Sequence, residues 1–160
     1  MPTTRCGIGY DVHELTAARK LVLAGVEIPH DRGLAGHSDA DVISHAIADA
    51  LLGAVALGDI GHHFPNTDES IRGISSIDIL RRVVALLAAK NARAINVDAT
   101  LIAEAPKIAP HLATMRERIA DALSISAEQV SIKATTNEKL GTIGRGEGMA
   151  AMAIATVEQA

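Results

Sequence analysis

Ala94-Ile95-Asn96-Val97-Asp98-Ala99-Thr100-Leu101-Ile102-Ala103 sets Ile95, Val97, Ala99 and Leu101 on alternate positions, with Asn96, Asp98 and Thr100 between them. A period of two marks a strand with one buried face. The period changes on both sides. Residues 77–90 carry Leu80, Val84 and Leu87 at helical spacing, and a further helix is expected over residues 110–123. Strands are expected over residues 4–12, 130–135 and 148–157, and an extended or hairpin segment over 20–28. Another helix is expected to run to Leu57 from an N-cap at Ser38 or Asp39, with Asp41 adding first-turn negative charge and Gly58 as terminator. Its stripe is Ile43, Ile47, Leu51 and Val55. Strands alternating with helices give an α/β fold, an α+β sandwich with a mostly mixed β-sheet and helices packed on one face.

The 160 residues suit a single domain over residues 1–160 with a real core. Hydrophobic residues make up 48% and charged residues 21%, as in globular proteins. Tyr10 and Phe64 are the only aromatic residues, so the core must come from Ala, Leu, Ile and Val. A net charge of −4 with scattered basic residues argues against a nucleic-acid partner. Cys6 is the only cysteine, which excludes an internal disulfide and a Cys-rich zinc site. No apolar run approaches a membrane span and no signal-peptide pattern is found, so a cytoplasmic protein is expected.

Gly7-Ile8-Gly9-Tyr10-Asp11-Val12-His13 lies in the first strand, where alternate residues point the same way. Asp11 and His13 can therefore face one target, and His45 supplies a third donor from the following helix. Three protein ligands with one open position form a catalytic zinc arrangement. Asp41 and Asp49 lie one turn either side of His45, where a carboxylate could orient the imidazole. Taken alone, Asp11-x-His13 also fits an ordinary strand end, and His45 a solvated helix face. His37-Ser38 precedes a helix N-terminus, which suits a phosphate or plain capping. Asp59-Ile60-Gly61 reads as an ordered turn, followed by a mobile loop over residues 62–76.

Ala103-Glu104-Ala105-Pro106-Lys107-Ile108-Ala109 connects a strand to a helix and could hold a base or a phosphate. Thr135-Thr136-Asn137-Glu138 ends a strand with oxygen groups that suit phosphates and Mg²⁺, or simply a polar turn. Gly141-Thr142-Ile143-Gly144-Arg145-Gly146-Glu147-Gly148 lacks the Lys-Ser/Thr ending of a phosphate-binding loop and leaves too little chain for a dinucleotide fold. It reads as a tight turn in which Arg145 and Glu147 can pair.

Together these segments resemble the 2-C-methyl-D-erythritol 2,4-cyclodiphosphate synthase family of the non-mevalonate isoprenoid pathway, almost end to end. The likeness rests on Gly9–His13, His37-Ser38-Asp39-Ala40-Asp41-Val42, His45-Ala46, Asp49–Gly53, Ala56–Gly61 and Phe64-Pro65-Asn66-Thr67-Asp68. Ala105-Pro106-Lys107, Lys133–Gly141 and Gly144–Gly148 continue it.

The resemblance implies a lyase that takes 4-diphosphocytidyl-2-C-methyl-D-erythritol 2-phosphate, whose 2-phosphate attacks the β-phosphorus, releasing CMP and a cyclic diphosphate. It implies zinc at Asp11, His13 and His45, and Mg²⁺ or Mn²⁺ at Glu138. His37 and Thr136 match transition-state stabilisers. Asp11, Val12, His13, His37 and Ser38 match substrate contacts. Asp59, Ile60 and Gly61 match contacts to the methylerythritol portion, with Phe64, Pro65, Asn66, Thr67 and Asp68 closing over it. Ala103, Glu104, Ala105, Pro106, Lys107, Ile108 and Ala109, with Thr135, Thr136, Asn137 and Glu138, match the cytidine diphosphate pocket; Thr142 and Arg145 are further candidate contacts. It also implies a homotrimer around a sheet-lined axis, with each active site between subunits. Asn66 stands where the family often has Asp, and Thr142 where many members carry an aromatic facing the axial cavity. Two other readings follow from the residues: a metal-dependent phosphohydrolase, and a non-catalytic trimer that binds a nucleotide or isoprenoid phosphate.

Overall fold

The computed structural model describes residues 1–160. Strand β1 (Thr3–Thr16) is longer than the sequence pattern suggests, because it stays paired past the expected end at Val12: His13 faces Met149 and Leu15 faces Leu34. The hairpin expected over 20–28 is β2 (Leu21–Leu23) with β3 (Val26–Ile28). Its turn places Ala24 and Gly25 at positive φ, the backbone that matches a hairpin's twist. Strand β4 (Gly33–Leu34) follows, then α1 (Val42–Ala54), the short α2 (Ile60–His63), α3 (Ser76–Ala89) and β5 (Ala92–Ile102). The chain closes with α4 (Leu112–Leu123), β6 (Val130–Thr135), the short α5 (Gly141–Gly144) and β7 (Gly148–Gln159).

Five strands form a mixed sheet in the order β4-β1-β7-β5-β6. Only β5 and β6 run parallel, and that pair requires the crossover that α4 supplies. The strand pattern over 94–103 is interrupted by a register shift between Ala94 and Asn96, where β5 pairs with β7, so Ile95 drops out of the inward set. Ala92, Ala94, Val97, Ala99 and Leu101 are buried instead.

The α1 helix starts later than the sequence suggests. Its N-cap is Asp41, not Ser38 or Asp39: the Asp41 carboxylate accepts from Ser44 N at 3.1 Å and from Ser44 Oγ at 2.7 Å. The same carboxylate accepts from Ala24 N at 2.8 Å and Gly25 N at 2.7 Å, tying the hairpin turn to the helix. Burial, with Asp39 nearby, pushes the Asp41 carboxyl above the usual range despite these four donors. The helix ends at Ala54, short of the expected Leu57.

Helix α1 is buried along almost its whole circumference, with only Asp49 and Gly53 reaching the surface. It lies against β1, β7 and β5 on one side and α3 on the other. Small residues allow this approach. A Cβ on Gly7 would lie 1.9 Å from Ala50 O, and one on Gly9 1.9 Å from Ala46 O. The helix backbone thus rests on the strand with no side chain between them. The opposite sheet face carries Ile8, Tyr10, Val12, Met152 and Ile154, all exposed. No helix is long and apolar enough to cross a membrane.

Candidate metal centre and the pockets around it

Gly7, Gly9, Asp11 and His13 lie at alternate positions and share one face of β1. Where the two glycines let α1 close in, the next two residues of that face meet His45 on the helix. Asp11 Oδ2 lies 2.8 Å from His13 Nε2 and 3.1 Å from His45 Nδ1. The two ring nitrogens are 3.3 Å apart. One ligand atom from each residue falls within 4.8 Å of the other two.

The donor set fits a divalent ion: one carboxylate oxygen and two imidazole nitrogens converge from two elements, the mixture zinc accepts. His13 is held in the tautomer this needs, since its Nδ1 lies 2.7 Å from Ala35 O and so carries the proton, leaving Nε2 free to face the cluster. Burial raises the cost of a charge on Asp11, but its contacts with the His13 and His45 rings, which donate to it from these nitrogens only as imidazolium, outweigh it and hold the carboxyl down to about 2. Burial lowers His13, and the bond to Asp11 outweighs that too, so its pKa lies above the usual value.

Neither carboxylate flanking His45 on α1 orients it. Asp41 faces the hairpin turn, and Asp49 accepts from Ile60 N at 2.8 Å. Both point at backbone N–H groups because those donors end up buried beside them and must be satisfied. The far nitrogen of His45 instead faces two serines: Nε2 is 2.8 Å from Ser76 Oγ and 3.1 Å from Ser38 Oγ.

A cavity of about 200 Å³ opens over the three donors. Gly36, His37, Ser38, Ile60, Gly61, Phe64 and Asn66 line it, so much of the expected substrate surface surrounds the cluster. His37 Nε2 lies 3.0 Å from Asp68 O. Asp59 caps α2 through His62 N at 2.9 Å, while Asp59, Pro65, Thr67 and Asp68 are exposed outside the cavity wall. The segment expected to be a mobile loop carries the end of α2 and a 3₁₀ turn over Glu69–Ile71. Val12 projects to the other sheet face and lines a separate hollow with Thr142 and Glu147.

A second cavity of about 420 Å³ is lined by Ala103, Glu104, Pro106, Lys107, Ile108, Ala109, Thr135 and Thr136. Its loop is braced by Glu104, whose carboxylate accepts from Asn137 N at 2.8 Å and Lys139 N at 3.0 Å. Thr136 Oγ1 accepts from Glu138 N at 3.2 Å. Asp11 pairs with Ala151, Ala151 with Leu101 and Leu101 with Ala134. Both cavities therefore lie at the same end of the sheet, but Asp11 and Ala134 on their walls are three strand spacings of about 4.8 Å apart, roughly 14 Å. Within one chain, Glu138 and the three donors do not meet. Arg145 pairs with Glu147 at 2.8 Å, as the turn suggested, and borders a third hollow with Arg32 and Lys139.

Ser76 and Gly36 carried no signal of their own in the sequence. Ser76 sits 31 residues from His45, and only the packing of α3 against α1 brings the two together. A Cβ on Gly36 would lie 3.2 Å from His13 Cε1, a close approach that spacing does not reveal.

Comparison with known proteins agrees with this geometry. The profile of the YgbB family matches residues 4–158. A relative from Alkaliphilus metalliredigens, 2-C-methyl-D-erythritol 2,4-cyclodiphosphate synthase, is 61% identical over 155 residues, covering 97% of this chain and 98% of its own. The solved bifunctional IspDF of Campylobacter jejuni superposes with a TM-score of 0.95 at 38% identity, covering 100% of this chain; this chain spans 43% of that longer one. The Plasmodium falciparum IspF–CDP complex superposes with a TM-score of 0.83 at 35% identity, covering 96% of this chain and 95% of that one. With a mixed sheet, a three-donor cluster and a profile match over nearly its whole length, the chain belongs to the YgbB family.

Proposed function

We propose that the chain, acting as one catalytic unit over residues 1–160, cyclises 4-diphosphocytidyl-2-C-methyl-D-erythritol 2-phosphate in isoprenoid precursor biosynthesis. A 2-phosphate oxygen forms a bond to the β-phosphorus. The bond from that phosphorus to the oxygen bridging to the α-phosphate breaks, and CMP leaves with the bridging oxygen. The observation that carries this reading is the convergence of Asp11, His13 and His45 under a polar cavity, in a chain 61% identical to a relative named for that product.

Asp11, His13 and His45 would hold zinc, and Glu138 a second ion, Mg²⁺ or Mn²⁺. Bound there, these cations offset phosphate charge and fix oxygens for in-line transfer. The protein's own groups position the substrate. Ile60 and Gly61 from the cavity wall and Asp59 from the exposed rim would take the methylerythritol hydroxyls, and the Phe64–Asp68 segment would close over them. Ala103–Ala109 and Thr135–Glu138 take the cytidine diphosphate. The relative solved with CDP supports that assignment. His37 and Thr136 would donate to phosphoryl oxygens as charge develops on them. No enzyme nucleophile is required, and positioning supplies most of the rate.

The separation of roughly 14 Å between Asp11 and Ala134 supports a homotrimer in which one copy brings its Glu138 loop to the donor cluster of its neighbour. The exposed apolar face at Ile8, Tyr10, Val12, Met152 and Ile154 supports the same assembly. The test is incubation with the diphosphocytidyl substrate and Mg²⁺, followed by phosphorus NMR. CMP with a cyclic diphosphate is the expected outcome. CMP with a linear 2,4-bisphosphate, the product of water attack on the β-phosphorus, would instead make the chain a hydrolase, and no turnover would favour a binding protein.

A further inference from the structure

His45 needs Nδ1 as a lone pair if it is to hold a metal, so its single ring proton must sit on Nε2. The groups around Nε2 decide whether that state is favoured. Ser76 Oγ lies 2.8 Å away, and the same hydroxyl hydrogen-bonds to Asp39 Oδ1. Asp39 also accepts from Ser76 N on Oδ2 at 3.0 Å and from Asp41 N on Oδ1 at 3.2 Å. A carboxylate surrounded by donors acts as an acceptor, so the one hydroxyl proton of Ser76 goes to Asp39. Toward His45, Ser76 is then left with lone pairs only. Nε2–H must donate to it, and Nδ1 is left open toward Asp11 and His13.

We infer that Asp39 and Ser76 are positioning residues for the metal: a carboxylate–serine–histidine relay that fixes His45 in its ligating tautomer and ring orientation. The inference rests on the metal-dependent reading above. Both residues lie outside the cavity wall, and Ser76 is 1% exposed, so neither acts by touching substrate. The relay does mechanically what a carboxylate bonded directly to a metal-bound histidine does, with one hydroxyl interposed. It also joins two elements, since Asp39 precedes α1 and Ser76 opens α3. Ser38 Oγ, 3.1 Å from Nε2, is a poorer substitute. It already accepts Ala40 N–H at 3.1 Å and has no carboxylate behind it to strengthen its hold.

Zinc titration against a chromogenic chelator tests this with the metal alone, independent of turnover. Ser76→Ala and Asp39→Asn should each weaken zinc binding about 10- to 100-fold, the usual cost of losing an outer partner of a metal ligand. Ser76→Thr, which keeps the hydroxyl, should restore most of it. Imidazole ¹⁵N NMR of the metal-free wild-type protein should place the proton of the neutral His45 ring on Nε2. Thermal unfolding of the metal-free variants shows whether each one folds; if Ser76→Ala does not, the NMR assignment decides. A folded Ser76→Ala that binds zinc as tightly as wild type overturns the relay, as does a His45 proton on Nδ1. Absence of zinc binding in the wild-type protein would overturn the metal reading itself, and the relay with it.

Discussion

At the scale of single residues, three donors from one strand and one helix meet at separations of 2.8, 3.1 and 3.3 Å. Asp11 and His13 are two positions apart on a strand, so their common direction follows from the pleat alone. That His45 joins them depends on where α1 lies. The residues that brace the cluster, Ala35, Ser38, Ser76 and Asp39, come from loops and helix ends whose contacts have no sequence period. Replacing His45 with alanine should abolish stoichiometric zinc binding and reduce turnover by more than about 100-fold, beyond the cost of an outer-partner loss. Metal analysis of the purified variant beside a CMP-release assay checks both. A second expectation concerns pH in the metal-free protein. Asp11 is held down to about 2, below its unfolded value. Its contribution is therefore complete above about pH 4 and is lost as pH falls toward 2, on the order of 2 kcal/mol. His13 is shifted the other way, so its contribution is present in acid and is lost as pH rises through its raised folded value. Urea unfolding from pH 2 to 5 should show the acid limb, and Asp11→Asn should flatten it.

At the scale of elements, the order of strands and helices followed from the change between a period of two and a helical period, while the ends were set by tertiary bonds. Asp41 captures the start of α1 because its carboxylate is also needed at the Ala24-Gly25 turn, a partner 16 residues away that local capping rules cannot see. The bulge in β5 likewise breaks an alternation that looked regular. The seating of α1 on β1 gives a sharp comparison between two glycines. Gly9→Ala would set a Cβ against the Ala46 carbonyl, a backbone atom that no rotamer change removes. It should cost about 3 kcal/mol or more and displace His45 from Asp11. At Gly53, on the same helix, a Cβ has nothing nearer than 3.9 Å. Gly53→Ala should leave stability unchanged or raise it by up to about 1 kcal/mol. Urea unfolding with zinc stoichiometry separates the two, and equal effects would contradict the packing described for α1.

At the scale of the whole molecule, the two cavities share one end of the sheet yet do not meet. Sequence periods could not announce that, because they describe elements and not the distance between two loops; only the family resemblance implied a site shared between subunits. The assembly proposed to join them predicts that a charge on the outer sheet face disables catalysis from a distance. Ile154→Glu lies outside every cavity described, on a side chain 53% exposed. It should convert the trimer to monomers by analytical ultracentrifugation, abolish CMP release and leave zinc bound by each monomer. An active monomer would refute the shared site.

The chain has one tyrosine and no tryptophan. That tyrosine, Tyr10, is 55% exposed on the same outer face. Near-ultraviolet emission from this protein therefore has essentially one source, placed where subunits would meet. Its quenching by iodide on dilution becomes a label-free optical gauge of association, with the rest of the molecule dark.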